Sequence, residues 1–397
     1  MAWIRVQRYA SWMRTLNTEE RSGLEESATR QFRLNAPAGG WFPALRILHC
    51  TITAHNLPYT DLLFSPHLEE VSIYFQQWGP SEVPRNLLPA LVSTISALPT
   101  SALKSLWVSR VEPSTDIEDS ISSVVLRCGP PLTRLTTAYK LSDAAVNHLI
   151  QLPHLHLWLS HGPPPNYSAS SLPLVFPPLK HFTVEEGATL QWLSLFQRLE
   201  DRVSATSEVT PLSRVKESLK SLHIEGYPGP TIDASFTSPI RMFRNLIRLG
   251  VSALCRQDQC NFKLNNGDVT ELAMSLPQLE NLLLGYACPE NTCATTAACL
   301  LPISVYCVGL DELEIHFNTT NIVDDLKNIP MDPRFLELRS LPRCKLRRLR
   351  ANKMPLVLDG SDFQAVVDGM RDIFPSIQHI DGPIGAWSEL SGKLQGN

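Results

Sequence analysis

Residues 102–110 read ALKSLWVSR, and the same arrangement recurs along most of the chain. It consists of a leucine, two other residues, an apolar residue, one further residue and usually a second apolar residue. Twelve windows fit this pattern, and the leucine near the start of each window is its anchor. The anchors are Leu45, Leu68, Leu103, Leu132, Leu155, Leu179, Leu219, Leu246, Leu279, Leu310, Leu346 and Ile377.

The position three residues after each anchor is apolar in all twelve windows. With 43% apolar residues in the chain, about five would be expected by chance. The position five residues after the anchor is weaker, because Thr137, Ser160 and Gly382 interrupt it. Side chains alternate along a strand, so each window predicts a short strand with one buried side. Residues 154–162 (HLHLWLSHG) also allow a register with Leu157 and Leu159 inward.

The anchors from Leu45 to Ile377 span 332 residues in eleven steps, a mean of about 30. This period with L-x-x-L-x-L is the leucine-rich-repeat signature, and long repeats of that class each carry a helix. We therefore predict an α/β leucine-rich-repeat solenoid, a horseshoe of about 12 repeats. Its parallel sheet would form the concave face and its helices the convex face. The solenoid is predicted over residues 41–397, after a cap or linker at 1–40.

The segments between windows predict helices that precede the next strand. Four are clear, at residues 85–99, 142–153, 267–277 and 362–375, and each ends at a proline. Proline cannot continue a helix, so it marks each helix end. In residues 267–277, Asp268 and Glu271 have the spacing of a capping box. The long step after Leu179 predicts an exposed loop at 205–217.

Three stretches resemble the F-box and leucine-rich-repeat-like proteins of fungi, especially basidiomycete-type ones. They are residues 3–16 (WIRVQRYASWMRTL), 39–50 (GGWFPALRILHC) and 61–75 (DLLFSPHLEEVSIYF). The resemblance implies a helical F-box that docks a Skp-type adaptor of a cullin-based ubiquitin ligase, while the repeats hold the substrate. The usual F-box opening does not occur before Leu45, so residues 1–40 resemble the segment that follows an F-box that is missing here.

These features predict a non-catalytic protein-binding module. One version is the substrate-recognition subunit of an SCF-type ubiquitin ligase, with a Skp-type adaptor as partner only if an upstream F-box exists. The alternative is a stand-alone leucine-rich-repeat scaffold or inhibitor without ubiquitin linkage. The formal net charge of -4 gives no long-range attraction to nucleic acid or anionic membranes. Without a signal peptide or an apolar run long enough to span a bilayer, we expect a cytoplasmic or nuclear protein.

No phosphate-binding, zinc-protease or nucleophile-elbow motif occurs, so we expect no enzyme, no catalytic residue and no cofactor. Histidines cluster at 148–161, but their strand, helix and turn positions point in different directions, so no metal site is expected. The cysteine-rich region at 255–299 has no C-x-x-C pair, which favours reduced, mostly buried thiols over zinc or a disulfide. The basic run at 344–353 fits outward strand positions better than a nuclear-import or phosphate-binding patch.

The strand alternation places the second and fourth residues after each anchor on the open face. Strand ends add Tyr74, Glu185, Glu225 and His316. Trp107 is either a binding hot spot or is covered by a neighbouring loop. Glu312 and Glu314 either pair with Arg348 and Arg350 across adjacent strands or present charged patches to a partner. The predicted binding residues are Tyr74, Trp107, Arg134, His181, His223, Glu225, Arg248, Glu312, Glu314, Arg348 and Arg350.

Overall fold

A computed structural model of the chain describes residues 2–18, 30–31, 33–35, 41–53, 57–75, 87–108, 114–137, 139–160, 179–184, 217–226, 231–253, 260–285, 293–328, 344–351, 356, 358, 360–382 and 385–395. Contacts divide the chain into two units, Met1–Leu179 (unit 1) and Lys180–Asn397 (unit 2). Each unit is built from parallel strands with helices in the connections between them, which is the α/β arrangement that the leucine pattern predicts. The horseshoe and the count of about 12 repeats stay predictions.

The strands of unit 1 pair in parallel, each with the next along the chain. Their register aligns Leu16, Leu48, Val71, Leu106, Leu135 and Trp158 in one row, in which Leu48, Val71, Leu106 and Leu135 are buried. Trp158 pairs with Leu135, so residues 154–162 adopt the register with Leu155 as anchor and not the alternative with Leu157 and Leu159 inward. The strands are β1 (Thr15–Asn17), β2 (Ile47–Ile52), β3 (Glu70–Phe75), β4 (Ser105–Val108), β5 (Arg134–Thr137) and β6 (Leu157–Ser160).

The strands of unit 2 pair in the same way. They are β7 (His181–Val184), β8 (Ser221–Gly226), β9 (Arg248–Ala253), β10 (Asn281–Leu284), β11 (Glu312–Ile315), β12 (Arg348–Arg350) and β13 (His379–Asp381). The residues three positions after each anchor again lie opposite one another on successive strands. They are Phe182, Leu222, Leu249, Leu282, Leu313, Leu349 and Ile380.

The anchors and the third positions form the core of each unit. All twelve anchors are buried, and the most exposed of them, Ile377, is only 7% accessible. Fully burying a leucine contributes about 1.5–3 kcal/mol, but a single short strand cannot shield its own leucines from water. Stacking strand on strand shields them, which is why the repeat has to form a ladder.

Helices alternate with the strands. Unit 1 contains α1 (Ala2–Ala10), a 3₁₀ helix (Leu57–Leu63), α2 (Leu88–Ser96), α3 (Thr115–Arg127) and α4 (Asp143–Gln151). From the 3₁₀ helix to α4, each helix packs against the next one. Their buried side chains, such as Leu91 and Ile95 of α2, contribute to the core.

Unit 2 follows the same plan, with α-helices of 4 to 14 residues. It contains α5 (Ala234–Thr237), α6 (Asn266–Ser275), α7 (Leu300–Tyr306), α8 (Ile322–Asn328), α9 (Gly360–Ile373) and α10 (Ala386–Gln395), with 3₁₀ helices at Ser238–Met242 and Ala297–Cys299. Helices α6 and α7 pack together, as do α8 and α9. The four helices predicted from sequence are therefore present, as α2, α4, α6 and α9.

One helix start carries a serine cap, and another differs from the predicted capping box. The Ser142 hydroxyl accepts a hydrogen bond from the backbone N–H of Ala145 at 3.3 Å, which caps α4. The capping box of α6 is formed by Asn265 and Asp268, not by Asp268 and Glu271. The prediction was wrong because Asn265 already holds the N-cap position, which leaves Asp268 as the third helical residue of the box.

Strand β1 lies before the predicted start of the repeats at residue 41. Thr15, Leu16 and Asn17 pair with Ile47, Leu48 and His49, so the unit 1 ladder begins one strand earlier than the first leucine window. The predicted loop at 205–217 lies outside the described residues except for Glu217.

Candidate binding surface on the strands

Two aromatic rings stand on the open face of unit 1. Trp107 of β4 is 41% exposed although it lies in the middle of a strand ladder. The ring of Tyr74, on β3, packs edge-on against it, with ring centroids 4.8 Å apart and an interplanar angle of 69°. This T-shaped geometry is a favourable one for aromatic pairs. The exposure of Trp107 agrees with the alternation, and no loop covers the ring completely.

Small polar residues surround this aromatic pair. Trp107 lies directly between Ser72 of β3 and Thr136 of β5 in the strand register. Ser105, two residues before Trp107, lies on the same face. None of these side chains is large enough to cover an indole ring. Trp107 is therefore flanked by residues with small hydroxyl side chains, at positions that the strand alternation predicts on the open face.

Arg134 of β5 completes this part of the surface. It is exposed and pairs in register with Ser105. Among the residues that the structure describes, Arg134 has no acidic partner. By contrast, Glu69 binds Lys104 at 2.6 Å and Arg46 at 2.8 Å, and the Lys104 hydrogen bond lowers the pKa of Glu69.

The open face of β7 to β9 carries histidines and a second exposed arginine. His181 and Arg248 are exposed, and His223 is half-buried. Gly250 provides the space for the His223 ring, because an added Cβ would lie only 2.0 Å from its Nδ1 atom. Glu225 lies on β8, but its side chain is outside the described part of the chain.

The strands β11 to β13 carry alternating charges. Arg348 Nη1 lies 3.5 Å from Glu312 Oε1, and Arg348 Nε lies 3.3 Å from Asp381 Oδ2. Arg350 lies 3.5 Å from Glu312 and 3.9 Å from Glu314. These contacts favour the cross-strand pairing interpretation over isolated charged patches. Since four of these side chains are more than a third exposed, each pair contributes at most about 1 kcal/mol.

Three arginines of the basic run at 344–353 are thus paired with neighbouring carboxylates. Besides Arg348 and Arg350, Arg347 forms a two-pronged contact with Asp311, through its Nε and through Nη2 at 2.6 Å. The hydrogen bond from Arg347 lowers the pKa of Asp311 and raises the pKa of Arg347 itself. The predicted outward strand positions therefore carry paired charges.

Two residues predicted on the open face are in fact buried. Glu314 is 9% exposed and His316 only 3%. Gly285, with a φ of 84°, packs against His316 and Phe262, so the neighbouring repeat closes over this strand end. Within the described part of the chain, neither ring nitrogen of His316 has a hydrogen-bond partner, and burial lowers the pKa of His316 to about 4. The prediction that Glu314 and His316 are exposed was wrong, because strand alternation takes no account of contacts with the adjacent repeat.

The described cysteines are poor candidates for thiol chemistry. All but Cys260 are buried, and all are free thiols. Burial raises the pKa of Cys128 and of Cys307 to about 12, and that of Cys344 to about 11. A thiol with such a pKa is protonated at neutral pH, and the thiolate is the reactive form. These residues therefore serve the core.

The histidine cluster is only partly described, since His161 lies outside the described ranges. The ring Nε2 of His148 contacts the backbone oxygen of Cys128 at 2.7 Å, which is a structural contact between repeats. Within the described ranges, no three His, Cys, Asp or Glu side chains come together as a metal site would require. None of the helices described is long and apolar enough to cross a membrane.

No protein-family model and no curated protein sequence matches the chain. Among solved structures, one similar chain comes from the crystal structure of the Rad7 and Elc1 complex in yeast. The two are 15% identical with a TM-score of 0.40, and the match covers 87% of this chain and 75% of that one. A similarity this distant shows no family membership and carries no argument about function.

Proposed function

We propose that this chain is a non-catalytic protein-binding module that receives its partner on the open face of its strands. The observation that carries the proposal is Trp107, 41% exposed on a strand whose neighbours are small and hydroxylated. Exposed tryptophan and arginine side chains are enriched at the residues that dominate protein interfaces.

Site-specific photo-crosslinking tests this proposal. A photoreactive phenylalanine analogue replaces either Trp107 on the strands or Leu126 on helix α3. The two positions have matched exposure, 41% and 43%. We expect a defined protein adduct from cells at position 107 and not at position 126, with binding reproduced by the purified partner. Identical adducts at both positions, or none at either, would refute a binding role for the strand face.

Within this role, we propose the substrate-recognition subunit of an SCF-type ubiquitin ligase. The support for it is the resemblance of residues 3–16, 39–50 and 61–75 to fungal F-box and leucine-rich-repeat-like proteins. The alternative is a stand-alone scaffold or inhibitor. An in-frame F-box upstream of this sequence, together with binding of a purified Skp-type adaptor by the extended chain, would favour the ligase. A stop codon there would favour the alternative.

A further inference from the structure

Tyr74, Trp107 and Arg134 lie on one diagonal across the open face of unit 1. Trp107 pairs in register with Ser72, two residues before Tyr74, and Arg134 pairs with Ser105, two residues before Trp107. Each step along this diagonal crosses one strand and moves back two residues. Diagonal neighbours of this kind are about 7–8 Å apart, so the three positions span about 15 Å.

We infer that this diagonal binds a linear segment of a partner protein. The segment carries an aromatic or leucine side chain and, close to it, an acidic one. The inference rests on the proposed function and specifies the chemistry of the partner. An extended chain advances about 3.3 Å per residue, so the distance from Trp107 to Arg134 corresponds to about two residues. The acidic residue is therefore expected two positions from the apolar one.

The apolar end of the segment is set by Trp107. Tyr74 covers one side of the indole, while Ser72 and Thr136 are too small to cover the rest. An apolar side chain from a partner would remove the remaining indole surface from water, which is the main source of affinity at such positions. The hydroxyl groups of Ser105 and Thr136, which are half-buried, can donate and accept hydrogen bonds with the backbone of the segment.

The acidic end is set by Arg134. Its guanidinium is exposed and, within the described part of the chain, has no carboxylate partner. Guanidinium groups bind carboxylates through two parallel hydrogen bonds, so an aspartate or glutamate is the complement that fits. Glu70 lies in the same register row as Arg134 but two strands away, with Ser105 between them, and its carboxylate lies 3.9 Å from the His49 ring.

A charge-reversal selection tests this inference. A display library of random linear peptides is selected against the full native chain and against W107A, R134E and R5E. Arg5 is the control, because it is also an exposed arginine of unit 1 but lies on helix α1 and not on a strand. Circular dichroism and thermal unfolding establish that the variants fold like the native chain, and W107F, which keeps an aromatic ring, is expected to preserve selection.

We expect the native chain and R5E to select peptides with an aromatic or leucine residue two positions from Asp or Glu. R134E should select Lys or Arg in place of the acid, and W107A should weaken a selected peptide roughly tenfold or more. Peptides that bind R134E and W107A as well as the native chain would overturn the inference and leave the binding function intact. A protein crosslinked at position 107 without any selected peptide would also overturn it, since the partner would then present a folded surface. Failure of both experiments would remove the proposed function itself.

Discussion

Adjacent leucines of strand β10 should differ sharply in their contribution to stability. Leu282 is 3% exposed and lies in the buried row between Leu249 and Leu313. Leu283 is half-buried on the opposite face, in register with Gly250 and Glu314. Replacing a fully buried leucine by alanine costs about 2–5 kcal/mol, because the lost transfer free energy adds to that of the cavity.

L282A should therefore lower the free energy of unfolding by about 2–5 kcal/mol. L283A leaves no enclosed cavity, and it should lower that free energy by about 1 kcal/mol or less, in proportion to the area it buries. Urea unfolding followed by circular dichroism measures both losses, and the slope with urea should remain that of the native chain. Amide hydrogen exchange should show lost protection in L282A concentrated in β9, β10 and β11.

L283A is also the control, since it removes the same atoms one residue away. Equal losses for the two variants, or a larger loss for L283A, would contradict the reasoning. A shift of register by one residue moves every side chain of a strand to the other face, so that result would mean β10 faces the opposite way.

Three further predictions concern a buried histidine, an ion pair and a helix contact. Burial holds the pKa of His316 at about 4, below 6.5 for the unfolded chain, so the unfolded state takes up the proton first. The free energy of unfolding should therefore fall by up to about 3 kcal/mol as the pH drops from 6.5 to about 4. Urea unfolding at pH values above and below this range measures the loss, and H316L should lack the part that this histidine contributes. A double-mutant cycle with R348A and E312Q should give a coupling free energy between the two side chains of about 0.2–1 kcal/mol, which weakens with added salt. A coupling several times larger would contradict the interpretation of this contact as an exposed ion pair. A Cβ added at Gly369 would lie 2.8 Å from Leu326 Cβ, so G369A should destabilise the contact of α8 with α9 by about 1–3 kcal/mol. The higher helix propensity of alanine would offset about 1 kcal/mol of this loss. An unchanged or higher melting temperature for G369A would contradict this.

The ladder could be predicted because its signal is local. A leucine and an apolar residue three positions later recur with every repeat, and burial of these side chains depends on the alternation within one strand. Strand β1 escaped prediction because it is only three residues long and contributes a single ladder residue, Leu16. Helix α3 was also missed, although Ser114 lies at its N-cap and Asp116 and Glu118 in its first turn are ordinary start signals.

The candidate surface was predictable only in outline. Alternation alone placed Trp107 and Arg134 on the open face, but it treated His316 and Glu314 in the same way, and both are buried. The difference arises from contacts between repeats, such as Gly285 against His316. These contacts join residues about one repeat apart, and no pattern within a single window encodes them.

The sequence by itself determined where every described strand except β1 lies and which leucines the strands bury, because each repeat exposes leucines that only a neighbouring repeat can shield. The tertiary structure decided which exposed charges neutralise one another and which remain available. Arg348 lies beside Glu312 and Asp381, whereas Arg134 lies beside Ser105. The physical reason is that a charge is paired or left open by the side chain on the adjacent strand, and the strand register, not the spacing along the chain, selects that neighbour.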